Sequence, residues 1–163
     1  MGNSEKKYLS LFIWSLSLIA IGTLIGSFTT SEISAWYGTL NRSLLTPPNY
    51  VFPIVWTILY GIIGVCGSMM WRAPSFPKLG AIKILYMFHL FLNWSWTPLF
   101  FHAHLTGCSL LILGCMDIVV GLIIYLTYPK MRIVSLLMVP YLLWILFASY
   151  LNFYVWWYNS VAP

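Results

Sequence analysis

The sequence predicts an all-α membrane protein: a bundle of five transmembrane helices with a long structured first loop, forming one domain over 1–163. Three observations predict this class. Of 163 residues, 61% are hydrophobic and 7% charged, with a mean hydropathy of +0.86. The three acidic residues, Glu5, Glu32 and Asp117, are too few to solvate a globular surface. Apolar stretches recur five times at roughly the 20 residues that a hydrocarbon core of about 30 Å demands, and none alternates like a strand. A lone segment in lipid must satisfy its own backbone hydrogen bonds, so each is expected to be helical.

The first span, 8–28, follows Lys6 and Lys7. It is longer than the apolar region of a signal peptide and no small-residue cleavage site follows, so it is read as a retained helix. The first loop, from Thr29 to Tyr50, contains Trp36-Tyr37 and Pro47-Pro48, where fixed φ angles and missing donors favour an extended shape over helix. It is either a lid or an interfacial loop anchored by its aromatics. The remaining spans, 51–71, 79–101, 107–128 and 134–157, are joined by short loops that suit antiparallel neighbours. Gly22 and Gly26 form a GxxxG pair, Gly64 and Ser68 repeat that spacing, and Gly107, Gly114 and Gly121 make a stripe seven apart. Such residues let helix backbones approach closely, within the bundle or across a dimer.

Charge sets the orientation. Lys6, Lys7, Arg72, Lys78, Lys83, Lys130 and Arg132 fall on one side and Arg42 alone on the other. The positive-inside rule therefore places the amino terminus on the cytoplasmic-type side of a bacterial or organellar membrane. Scattered basic residues exclude a nucleic-acid partner. Cys66, Cys108 and Cys115 lie in apolar runs and are expected as buried packing residues. His102 and His104 form an H-x-H pair, too few ligands for a metal site, so no metal is expected.

Candidate site residues cluster by helical spacing. His89, Asn93 and Trp96 share a face at i, i+4 and i+7; Trp56 and Tyr60 are i, i+4; Tyr141, Trp144, Ala148, Leu151 and Asn152 share a flank. Alternating chain direction puts Trp56, Trp96 and Asn152 at a common depth, roughly 8 Å below the boundary on the first-loop side. Aromatic and amide groups gathered under a loop suggest a pocket for a large flat hydrophobic ligand. An aromatic belt with interhelical Asn bonds is the competing account. Asp117 is the single acid within a span, which makes it a candidate for a ligand or proton role or a hydrogen-bonded helix contact. No nucleotide loop, HExxH or nucleophile–base motif is present. A proton-linked transporter using Asp117 and a structural membrane partner are the alternative functional classes.

Three blocks resemble the TspO/MBR family, which comprises translocator proteins, tryptophan-rich sensory proteins and peripheral-type benzodiazepine receptors. They are Trp36-Tyr37 with Thr46-Pro47-Pro48 and Val55-Trp56-Thr57-Ile58-Leu59-Tyr60; Leu92 to Phe101; and Pro140 to Trp144 followed by Phe147-Ala148 and Leu151-Asn152. The resemblance implies a five-helix, usually dimeric membrane protein that binds porphyrins such as protoporphyrin IX in a pocket capped by the first loop. It needs no cofactor; porphyrin is the expected ligand, with membrane lipid and a second copy as partners. Matching positions make Trp56, Asn93, Trp96, Trp144, Phe147 and Ala148 pocket residues, with Trp36 and Tyr37 in the lid. Tyr60 and Asn152 join them on helical spacing. Trp56 and Trp144 match the tryptophans implicated in light-dependent porphyrin breakdown by some bacterial members. Where the family commonly carries Lys-Pro-x-Trp, this chain has Arg42-Ser43-Leu44-Leu45, so a lid tryptophan is absent. The family's frequent acid early in the fourth helix aligns near Ile112, away from Asp117. Leu151 to Tyr158 lacks the cation of the proposed cholesterol pattern, which argues against animal-type sterol recognition.

Overall fold

The computed structural model describes residues 2–160, all helix, turn or loop, with no strand among them. The helices are α1 (Asn3–Ser27), α2 (Thr30–Ala35), α3 (Val51–Arg72), α4 (Leu79–Thr97), α5 (Thr106–Thr127) and α6 (Arg132–Ser160). Glu5 stabilises the start of α1 by accepting the Gly2 N–H at 2.8 Å, a carboxylate at the positive end of the helix dipole. By length and composition α1, α3, α5 and α6 can each cross a membrane. Helix α4 is less apolar because it carries Lys83, His89, Asn93 and Ser95 among its 19 residues.

The five long helices form a ring in the order α1, α3, α6, α5, α4, closed by a sparse α4–α1 seam. Helix α1 lies along α3 through small residues. Gly64 meets the Ser15 backbone and Gly22 meets the Tyr60 ring. The Ser15 hydroxyl donates to the Gly61 carbonyl at 3.1 Å, and the Ser10 and Ser68 hydroxyls pair at 2.8 Å. Close approach of this kind gains dispersion and polar contacts where lipid offers no hydrophobic drive between helices. Gly107 packs against the Trp156 indole of α6, whereas Gly114 and Gly121 face open space, so only the first glycine of the α5 stripe makes a contact within this chain.

The ring is filled by Ile63, Met70, Tyr86, Leu90, Met116, Val120, Ile123, Met138 and Tyr141, all essentially inaccessible. Outward the same helices expose Phe12, Leu24, Ile58, Phe91, Leu111, Ile118 and Leu143. A continuous apolar exterior of this extent is untenable in water and is that of a multi-pass integral membrane protein. Cys66 is buried, but Cys108 and Cys115 are exposed on α5, contrary to the expectation. A helix apolar all round does not reveal from sequence which face turns inward when the solvent is lipid.

The first loop is ordered by local structure. Its first half departs from the expected extended shape, forming α2 and a 3-10 turn at Tyr37–Thr39. The proline constraint acts only on its second half, where Pro47 and Pro48 lead into α3. Helix α4 stops earlier than the expected 101. Pro98 has no N–H to continue the pattern, and the chain widens into a π turn over Pro98–His102, closed by Ala103 N–H to the Pro98 carbonyl at 2.9 Å. That turn brings Phe100 and Phe101 beneath the loop.

Candidate functional site

A cavity of about 500 Å³ lies at the loop end of the ring, within the range typical of small-molecule sites. Its walls come from α1, the first loop, α3, the α4 end with its π turn, and α6. Rings supply much of the lining: Phe52, Trp56 and Tyr60 from α3, Trp96, Phe100 and Phe101 from α4 and its π turn, and Tyr37 from the loop. Rings from different elements therefore face one shared hollow.

The floor is a hydrogen-bonded chain. Tyr60 donates to Asn93 Oδ1 at 2.6 Å, and Asn93 Nδ2 donates to the Tyr141 hydroxyl at 3.0 Å. Asn93 therefore keeps one amide hydrogen and one lone pair for anything above it. Asn152 is committed more heavily. Its Oδ1 accepts Trp96 Nε1–H at 3.1 Å and the Ser109 hydroxyl at 2.9 Å, while its Nδ2 donates to the Thr106 carbonyl at 2.7 Å. This arrangement fixes the Trp96 indole, whose ring stacks on Phe100 at 5.3 Å between centroids. Trp96 thus presents a ring face, not a donor, to the cavity.

Of the ten residues expected at the site, Tyr37, Trp56, Tyr60, Asn93, Trp96, Ala148 and Asn152 line the cavity. Trp36, Trp144 and Phe147 are not among its lining residues. Trp36 stacks on His104 at 3.9 Å and meets Phe100 edge-on at 5.5 Å, bracing the wall from outside. Trp144 packs edge-on against Phe52 at 6.0 Å, and Phe52 is the ring that reaches the hollow. Phe147 stacks on Tyr150 at 6.4 Å.

Several wall residues were not anticipated from sequence: Gly22, Thr23, Gly26 and Ser27 of α1, and Phe100 and Phe101 of the π turn. In the sequence the α1 glycines read as helix contacts. A Cβ on Gly22 would strike the Tyr60 ring, yet one on Gly26 would meet nothing within 4 Å, so Gly26 leaves its space to the cavity. The pairing of Thr23 and Ser27 one turn apart beside those glycines was the available signal for a polar α1 face.

The loop is latched over this hollow. Asn159 Oδ1 accepts the Asn41 N–H at 2.9 Å and its Nδ2 donates to the Asn41 carbonyl at 3.1 Å, while Ser43 and Tyr150 pair through their hydroxyls at 2.8 Å. On the opposite flank Glu32 meets His104 Nε2 at 3.3 Å. Tyr37 is buried under the latch with the Arg42 guanidinium 5.1 Å above its ring. Burial pushes the Tyr37 phenol above its ordinary value; Arg42 and the Thr46 hydroxyl pull it back only in part, so it stays a neutral hydroxyl. Leu44 and Leu45, in the segment where the resemblance lacks a lid tryptophan, are fully and largely exposed and contribute no lining.

Among the described residues no charged side chain lines the cavity. Its polar groups are hydroxyls and amides, which orient a ligand without general acid–base chemistry. Asp117 lies apart, between α5 and α6, where Ser149 donates to Oδ2 at 2.8 Å. His89 sits below the floor, wholly buried, with Nδ1 on the Tyr86 carbonyl at 2.7 Å. No cluster of three or more His, Cys, Asp or Glu suited to a metal exists among the described residues.

Comparison with known proteins places the chain. The model of the TspO/MBR family matches residues 14–158. The chain is 36% identical over 145 residues to the tryptophan-rich protein TspO of Archaeoglobus fulgidus, covering 89% of this chain and 94% of that protein. It is 31% identical to the translocator protein of Bos taurus, covering 88% and 87%. With the tryptophan-rich sensory protein of Cereibacter sphaeroides it shares 29% identity, covering 86% and 89%.

Proposed function

The chain belongs to the TspO/MBR family, and from that premise we propose that it is a five-span membrane receptor for a flat hydrophobic tetrapyrrole, acting as a sensor, carrier or regulator of porphyrin level. One observation carries the reading. Aromatic rings from α3, the π turn and the first loop, with the Trp96 face from α4, converge on one uncharged hollow that is floored by an oriented amide. Indole and phenol rings stack on a macrocycle, and burial of its faces supplies affinity at about 25 cal/mol per Å² of apolar area. Asn93 and the hydroxyls of Thr23, Ser27 and Thr57 meet the polar periphery.

In this reading α4 is the fifth span, with His89 and Asn93 turned into the ring. The amino terminus faces the cytoplasmic-type side, where seven of the eight cations lie. Two copies form the family's usual dimer. Light-driven porphyrin breakdown is part of the proposal: the excited ligand passes energy or an electron to dissolved dioxygen, and Trp56 and Trp144 intercept or direct the reactive oxygen species so formed.

Titrating the purified protein with protoporphyrin IX while following tryptophan fluorescence tests the receptor reading. Saturable quenching at one site per chain, weakened by Gly26→Leu, is expected. Quenching that never saturates, or that Gly26→Leu leaves untouched, removes the cavity from the function.

A further inference from the structure

A second concavity, of about 560 Å³, lies at the opposite end of the ring from the lidded cavity. Phe76, Pro77 and Lys78 of the α3–α4 connection form one side. The last turns of α5, from Gly121 to Leu126, and the Tyr128-Pro129-Lys130 turn form the other. Its body is apolar and its rim carries two ammonium groups. Among the described residues no carboxylate lines it.

The cations at this end are not equivalent. Arg72 donates to the Lys7 carbonyl at 3.5 Å. Lys83 sits 5.4 Å above the Trp71 ring, and Arg132 sits 5.4 Å above Tyr128. Lys78 and Lys130 are exposed at the groove, and among the described residues no carboxylate or ring is set against their ammonium groups. Lys78 also holds a backbone φ of 73°, a left-handed conformation that a lysine adopts only at a cost. This strained residue is the N-cap of α4, and no side chain caps that helix. The positive end of the α4 dipole and both ammonium groups therefore face the same rim.

Below the rim the groove runs along the lipid-facing surface of α5. Tyr125 is largely exposed beside it, and Gly121 opens it, since a Cβ there would meet nothing within 4 Å. A charged mouth above an apolar channel matches one chemistry: a phosphate headgroup at the rim with an acyl chain laid against Gly121, Ile124 and Tyr125. We propose that this groove is a binding site for one anionic phospholipid, held by Lys78 and Lys130. The site is separate from the lidded cavity, and the proposal does not depend on what occupies that cavity.

Native mass spectrometry of the full chain, released from micelles containing chain-matched phosphatidylglycerol and phosphatidylcholine, tests it. The native protein retains phosphatidylglycerol in preference. The double variant Lys78→Gly, Lys130→Ala loses about 30-fold of that preference, from two lysines at a membrane surface. Glycine at 78 relieves the left-handed φ, so misfolding is not a route to that loss. Lys130→Arg keeps the preference, and Gly121→Leu lowers retention of both lipids by occupying the chain channel. Three results overturn the proposal. The double variant retains its preference; or Lys6→Ala, Lys7→Ala abolishes it equally, which would mean diffuse attraction to the basic end; or inorganic phosphate displaces the lipid, which would make the rim a soluble-anion site.

Discussion

The Tyr60 hydroxyl donates to the Asn93 side-chain oxygen across 2.6 Å, tying α3 to α4 directly beneath the cavity. Both residues are buried, and Asn93 passes the connection on to Tyr141 of α6. Three helices of the ring are thus held by one amide. Buried polar groups in such a chain are costly to orphan, so the amide is structural as well as ligand-facing. Asn93→Ala leaves the Tyr60 and Tyr141 hydroxyls without their partner and is expected to cost about 1–3 kcal/mol. Thermal unfolding in detergent measures this. A Tyr60→Phe, Asn93→Ala cycle should give a coupling of about 0.5–3 kcal/mol; additive effects would mean the bond does not hold the floor.

The two α1 glycines predict opposite outcomes. Gly22 lies against the Tyr60 ring, so Gly22→Val forces that ring aside and is expected to destabilise by about 1–3 kcal/mol through overpacking. Gly26 borders open space, so Gly26→Leu is expected to leave unfolding nearly unchanged while weakening porphyrin binding. Measuring both properties for both variants separates a helix contact from a cavity wall. Loss of stability in the Gly26 variant would show that its space is needed for packing.

That contrast also explains how much the sequence disclosed. Long apolar segments bounded by cations and prolines define the helices, and the i, i+4 spacings of Trp56 with Tyr60 and Ala148 with Asn152 put each pair on one face, which in the structure lines the cavity. The α1 wall was hidden because a GxxxG pair reads equally as packing or as space, and only the partner's position decides. Trp144 shows the complementary case. It shares a flank with Ala148, but the small side chain opens the hollow while the indole is turned onto Phe52. Phe100 and Phe101 escaped notice because a π turn shifts residues off the 3.6 period. Local motifs fix a face; which atom ends in the void depends on the neighbour's size.

The Asn159 side chain accounts for both bonds between the loop backbone at Asn41 and α6, with Ser43–Tyr150 alongside. Each such bond is worth about 1 kcal/mol net. Asn159→Ala combined with Tyr150→Phe is expected to speed porphyrin release by more than tenfold, at about 1.4 kcal/mol per factor of ten, with little change in association. Stopped-flow displacement reports the release rate. An unchanged rate would show that the loop does not close the cavity.

Position relative to the hollow also divides the two tryptophans of the proposed light reaction. Trp56 is in the wall, with its ring 5.5 Å from Tyr60 and 6.5 Å from Tyr141 between centroids. Trp144 is not in the wall and meets it edge-on through Phe52. An oxidant formed on a bound macrocycle meets the Trp56 indole first, and reaches Trp144 only through another ring or after Trp56 has reacted. Under illumination with protoporphyrin IX, Trp56→Phe is therefore expected to slow breakdown markedly, while Trp144→Phe alone stays close to the native rate. Phenylalanine preserves an aromatic wall at both positions, so binding measured in the dark serves as the control for pocket integrity. If the double variant degrades porphyrin at the native rate, neither indole takes part and the photochemistry belongs to the ligand alone. A larger effect from Trp144 than from Trp56 would instead mean that the ligand sits beyond Phe52, on the α6 side of the cavity wall.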